Sequence, residues 1–164
     1  MSKSEKNLQD AFAGESQANR KYLAFAKKAE LEGFKQAAKL FRAAAAAETI
    51  HAHNHLRELG VVKSTKENLM AAISGETFEF QNMYPQMIVD AKAENNAGAL
   101  KSFNYANEVE KVHAALYQKA LDTLGRNVAT DYYVCSVCGY TAEGEAPDEC
   151  PVCKSKKQAF HKVE

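Results

Sequence analysis

Residues 43–55 read AAAAAETIHAHNH, and the conformation of this stretch decides the rest of the chain. As a strand, it would put His51, His53 and His55 on one face, where three imidazoles could grip one ion. As a helix, it scatters them and leaves Glu48 and His51 as the pair that shares a face. Five consecutive alanines have the highest helix propensity available and little reason to extend. The stretch is read as helical. At 3.6 residues per turn, His51 and His55 lie near the face of Glu48 and His53 points away. A Glu48-x-x-His51 pair replaces the row of three, and His53 and His55 drop out as ligands.

Working outward, residues 1 to about 125 hold one proline and few turn signals, which predicts four helices. Helix A covers about 3–32 and stops at Gly33; helix B covers about 34–59 and stops at Gly60. Ser64 or Thr65 caps helix C, which runs to about 95 with Pro85 inside it, where it should kink or split. Helix D covers about 98–124, and Gly125 ends it. Each helix has an apolar stripe at spacings of 3 and 4, and each stripe carries glutamate where an apolar residue belongs. Helix A has Phe12, Glu15, Asn19 and Tyr22. Helix B has Ala45, Glu48 and Ala52, with His51 beside the seam. Helix C has Ile73, Glu76 and Phe80, with Glu79 adjacent. Helix D has Phe103, Glu110 and Tyr117, with His113 adjacent.

Glu15 lies 18 residues before Gly33 and Glu48 lies 15 after it, so a rise of about 1.5 Å per residue sets them at one height. The other acids match in the same way. Five carboxylates cannot all ionise in a dry seam without cations among them. Glu-x-x-His on two helices, with lone acids on the other two, is the di-metal bundle pattern and suits iron or manganese. Glu108, on the far side from Glu110, reads as solvated.

The tail differs in kind. All four cysteines fall in the last 30 residues, as Cys135-Ser-Val-Cys138 and Cys150-Pro-Val-Cys153, with 11 residues between the pairs. Such pairs form a tetrahedral Cys₄ site for structural zinc or for one iron that carries an electron. Tyr132, Tyr133, Tyr140 and Phe160 are expected to form a small core that the metal completes. Bulk properties exclude other classes. Lys plus Arg and Asp plus Glu number 21 each, so bulk charge suggests no nucleic-acid partner. No run approaches the roughly 20 apolar residues of a membrane span. The N-terminal MSKSEKNLQD has no signal-peptide core, and a cytoplasmic location is expected.

The segments AFAGESQANRKY, AAAAAETIHAHNH, SGETFEFQNMYP and EVEKVH, followed by CSVCGY and CPVCK, resemble rubrerythrins over almost the whole chain. The resemblance implies a mainly α protein. A ferritin-like four-helix bundle (residues 1–128) would carry two irons, and a rubredoxin-like, zinc-ribbon-type domain (129–164) a third. It implies a peroxidase that reduces hydrogen peroxide to water in oxidative stress defence, with iron handling or ferroxidation as the alternative. Electrons would come from an NADH- or NADPH-linked reductase or a rubredoxin and pass through Cys135, Cys138, Cys150 and Cys153. Carried over by motif, Glu48 and Glu110 would bridge the irons, Glu15 and His113 would complete one, and Glu76 the other. His51 and Glu79 would exchange as ligands with redox state, and Tyr22 and Tyr84 would donate hydrogen bonds.

The ferritin-like arrangement has helices B and C parallel, so the chain must cross the bundle between them. The link, GVVKS at 60–64, reaches only about 17 Å when extended. A helix C of about 30 residues is near 45 Å long. The expectation is a homodimer in which helices A and B of one chain complete a bundle with C and D of the other.

Overall fold

The computed structural model describes residues 1–164. The chain divides into two compact units, Met1–Lys63 and Ser64–Glu164.

The first unit is a helical hairpin, α1 (Lys3–Leu31) and α2 (Lys35–Leu59). Ser2 accepts the Glu5 N–H and Glu5 returns the bond to the Ser2 N–H, a reciprocal cap that starts α1. Gly33, at φ 84°, and Gly60, at φ 63°, end the two helices in the left-handed conformation that glycine adopts without strain. Between the helices the buried residues are alanines: Ala26 and Ala29 on α1, and Ala38, Ala45 and Ala52 on α2. The three α2 alanines repeat every seven residues, so one small stripe lets the two backbones approach closely. Asn19 bridges this seam, donating to the Ala45 carbonyl at 2.7 Å and to Thr49 Oγ1 at 2.8 Å.

The second unit begins with α3 (Thr65–Phe78), capped by a second reciprocal pair, Ser64 and Glu67. The expected long helix C is interrupted, but not at its proline. Residues Glu79–Met83 form one wide π turn in which the Tyr84 N–H reaches back five residues to the Glu79 carbonyl. Pro85 falls in the first turn of α4 (Tyr84–Ala93), where a missing N–H costs nothing. The extra residue in the wide turn absorbs the clash that a proline ring imposes on a regular helix. Asn96 caps α5 (Ala97–Asp122) by accepting the Ala99 N–H at 3.0 Å. Helix α5 packs against α3 and α4.

The tail is a three-stranded antiparallel sheet of β1 (Tyr132–Cys135), β2 (Thr141–Glu143) and β3 (Phe160–Lys162), in the order β2-β1-β3. Tyr140 and Phe160 meet edge to face at 6.3 Å and Tyr133 is half-buried, as expected. Tyr132 is not part of that core. It is the exposed first residue of β1 and instead lines a groove against Leu116 and Ala120 of α5.

No leucine, isoleucine or phenylalanine is fully buried; the largest fully buried side chains are Cys135 and Cys150. The hairpin seam therefore depends on alanine packing. Replacing Ala45, 1% exposed, with leucine should cost about 1–3 kcal/mol by overpacking. The same change at exposed Ala46 should be near neutral, and urea unfolding of the two variants checks the contrast.

Candidate metal centres

Glu15 of α1 and Glu48 and His51 of α2 form one group. One ligand atom from each lies within 4.8 Å of the others. Glu48 and His51 share a helix face because they are three residues apart. His51 Nδ1 sits 2.9 Å from Glu48 Oε2, with the glutamate side chain 18% exposed and the imidazole 53%. The acids are thus held in the seam and the histidine lies at its outer edge. His53 is exposed and His55 half-buried, and neither joins the group. Tyr22, seven residues after Glu15, packs its ring 6.3 Å from those of Phe25 and Phe41.

A matching group lies in the second unit: Glu76 of α3 with Glu110 and His113 of α5, again within 4.8 Å. His113 Nδ1 is 2.7 Å from Glu110 Oε2 and 3.9 Å from Glu76 Oε1. Its other ring nitrogen, Nε2, is 3.0 Å from Thr141 Oγ1. Burial, followed by repulsion from Glu110, raises the Glu76 carboxyl above the ordinary range, while His113 pulls the other way. Burial and the Glu76 charge raise Glu79 similarly. Glu79 opens the π turn and Tyr84 follows its last residue. Burial, and then Glu79, Glu110 and Glu76, push the Tyr84 hydroxyl up, so it keeps its proton. Glu108 is exposed and paired with Lys111, as expected of a solvated residue. The group around Glu76 is a site short of positive charge, and a divalent cation would remove both the repulsion and the need for protons.

The cysteines form a third group. Cys135 and Cys153 sulfurs are 3.6 Å apart, and those of Cys138 and Cys150 are 3.5 Å apart. That is far beyond the ~2.05 Å of a disulfide and close to the edge of a tetrahedron with metal–sulfur bonds of ~2.3 Å. Backbone N–H groups of Tyr140, Val152, Cys153 and Ser155 point at the sulfurs and favour thiolates. Burial drives the Cys138 and Cys150 thiols up. Burial also opposes the Cys153 thiolate, but bonds from Ser155 outweigh it and bring that thiol down to about 6. The residue after each second cysteine is left-handed: Gly139 at φ 85° and Lys154 at φ 63°. The donor set fits a tetrahedral metal that accepts four sulfurs.

Sequence reasoning did not single out Thr141. It carries no motif signal and meets His113 only because β2 packs on α5.

Metal-free protein should show the strain among the carboxylates. Glu76 and Glu79 have folded pKa values above 4.5, so the folded state holds protons that the unfolded state releases. Their contribution to stability is complete below the ordinary carboxylate range and is lost as pH rises through the raised values. The melting temperature of metal-free protein should therefore fall across that window. Glu76→Gln should flatten the fall, and ferrous iron added at neutral pH should restore stability. Calorimetry on metal-free and iron-loaded samples measures all three.

Known proteins resemble this chain over nearly its whole length. The rubrerythrin family model matches residues 6–121, and the model for the rubredoxin-like domain of rubrerythrins matches 133–161. The chain is 36% identical to rubrerythrin-2 of Clostridium acetobutylicum over 170 residues, covering 93% of this chain and 92% of that protein. It is 37% identical to nigerythrin of Nitratidesulfovibrio vulgaris over 168 residues, covering 94% of this chain and 83% of that protein. The fully reduced, all-ferrous structure of nigerythrin matches with a TM-score of 0.61 at 33% identity, over 99% of this chain and 88% of that one. The family's cofactor is iron, its members are oxidoreductases, and the matched regions contain both Glu₂His groups and all four cysteines. The chain, mainly α with a ferritin-like helical part and a rubredoxin-like tail, belongs to the rubrerythrin family.

Proposed function

We propose that this chain reduces hydrogen peroxide to water at a di-iron centre, as a cytoplasmic peroxidase. Each turnover consumes one peroxide, two electrons and two protons and yields two waters. The functional division is 1–128 for the di-iron part and 129–164 for the electron-transfer part. The observation that carries the reading is the presence in one chain of two Glu₂His groups and a Cys₄ group. A centre that only stored iron would have no use for a one-electron site beside it.

Iron bound there would supply the two electrons that reduction of the O–O bond requires. The protein's residues hold and tune it. Glu48 and Glu110 would be shared between the two irons, Glu15 and His113 would hold one, and Glu76 the other. His51 and Glu79 are alternative ligands at that second position. Support comes from their settings: His51 is the most exposed member of its group, and Glu79 opens a π turn, where the helix is least constrained. Tyr84 keeps its proton and can donate a hydrogen bond at the centre; Tyr22 would donate one from α1. Cys135, Cys138, Cys150 and Cys153 would hold the third iron, a one-electron site suited to an NADH- or NADPH-linked reductase or a rubredoxin as donor.

The complete centre is built from two chains. Support comes from the division of the chain at Lys63, inside a link too short to cross a bundle. The segment Thr65–Ala93 is about 43 Å long, while residues 60–64 span at most about 17 Å. Each unit carries three of the six grouped Glu and His residues, so a homodimer exchanging hairpins brings both halves together.

The test starts with anaerobically reduced, iron-loaded protein. Peroxide should restore the visible colour of the ferric Cys₄ site at one peroxide per two electrons, faster than oxygen does. Cys150→Ser should abolish reductase-linked turnover. Iron accumulation beyond three ions per chain, with no preference for peroxide, would favour the iron-handling reading instead. Native mass spectrometry should find a dimer; a monomer with intact di-iron sites would exclude the exchange.

A further inference from the structure

We propose that Thr141 is a positioning residue for His113. Its hydroxyl holds the proton on Nε2, leaves Nδ1 free as the ligand atom, and ties that ligand to the four-cysteine module. This inference rests on the di-iron reading above.

The hydrogen-bond directions make the assignment. Thr141 Oγ1 donates its own hydrogen to the Gly139 carbonyl at 3.3 Å. When Nδ1 serves as a metal ligand the ring proton sits on Nε2, and Thr141 Oγ1, 3.0 Å away, is placed to accept it. Nδ1 faces the carboxylates, 2.7 Å from Glu110 Oε2 and 3.9 Å from Glu76 Oε1, where a metal would take the place of the proton shared with Glu110. A histidine bound to a metal needs this arrangement, with its second nitrogen held by a fixed acceptor.

The acceptor is fixed by the cysteine module. Thr141 opens β2, opposite Val134 of β1. The Gly139 N–H bonds the Cys135 carbonyl at 2.8 Å, and the Cys135 N–H bonds the Tyr140 carbonyl at 2.9 Å. Gly139 also lies against Val109, where an added Cβ would meet Val109 Cγ1 at 3.9 Å. Val109 is 2% exposed and sits one turn before His113 on α5. Lys119 pairs with Glu143 farther along the same contact. The helix that carries His113 and the strand that carries Thr141 are thus held in register at three points. A metal in the cysteines orders the knuckle, the knuckle sets Thr141, and Thr141 sets His113.

The test needs no turnover. Zinc fills the four cysteines of the full chain, and cobalt is titrated into the Glu/His centre. Thr141→Val keeps the β-branched shape and lacks the hydroxyl; Thr141→Ser keeps the hydroxyl and lacks the methyl. Cobalt affinity should fall about 10- to 100-fold in T141V and return toward wild type in T141S. In nitrogen-15-labelled protein, the His113 Nε2–H signal should stay in slow exchange with water in wild type and T141S and be lost in T141V. Unchanged affinity and signal in T141V would overturn the proposal. So would a T141S variant that loses both, since packing rather than the hydroxyl would then be responsible. If T141V does not fold, the Nε2–H signal in T141S decides alone. Neither readout involves peroxide, so a wild-type protein that failed to reduce peroxide would sink the proposed function and leave this result standing.

Discussion

Negative charge placed in a helical seam governs this structure. Glu76 and Glu110 are close enough that one raises the pKa of the other, and Glu79 joins them from the next turn. Such carboxylates either hold protons or hold a cation. The surrounding architecture serves that choice. Alanines bring α1 and α2 close, and the two Glu-x-x-His pairs put an imidazole beside a glutamate. The cysteine module repeats the logic with softer ligands. Half-buried Cys138 and buried Cys150 resist ionisation, backbone N–H groups favour thiolates, and a metal resolves the conflict.

Stability and function are therefore coupled at the same residues. The hairpin of α1 and α2 buries alanines and no large aliphatic side chain, so its seam offers little hydrophobic stabilisation. Metal binding would stabilise a helical part whose seam positions are occupied by acids and histidines. The wide turn at Glu79–Met83 belongs to the same compromise. It accommodates Pro85 and carries Glu79 at its opening, so the most irregular stretch of helix holds one member of the candidate centre.

Much of this was legible in the residues. Gly33, Gly60, Ser64 and Asn96 mark helix ends through local backbone chemistry, and the observed ends fall within about two residues of expectation. Glutamates on apolar stripes stood out because burying a charge is costly wherever it occurs. The CxxC pairs stood out because four sulfurs at that spacing have few other uses. What the residues did not disclose was non-local. Pro85 announced a disturbance, but its position one turn earlier depended on how the helix relieved the clash. Tyr132 looked like core because it is aromatic and sits in a strand. Its outward pleat instead turned it toward α5.

Thr141 marks the boundary most clearly. Nothing in CGYTAEG distinguishes it from any strand threonine. It matters because β2 packs on α5 so that its hydroxyl meets a candidate metal ligand, His113, while also reaching the Gly139 carbonyl. Periodicity, capping and ligand spacing act within a few residues, so the order of amino acids alone settles the helices, the ligand types and the family. Contacts between elements far apart in the chain depend on packing. Only the folded chain could pair His113 with Thr141, 28 residues away, and so decide which imidazole nitrogen faces the carboxylates.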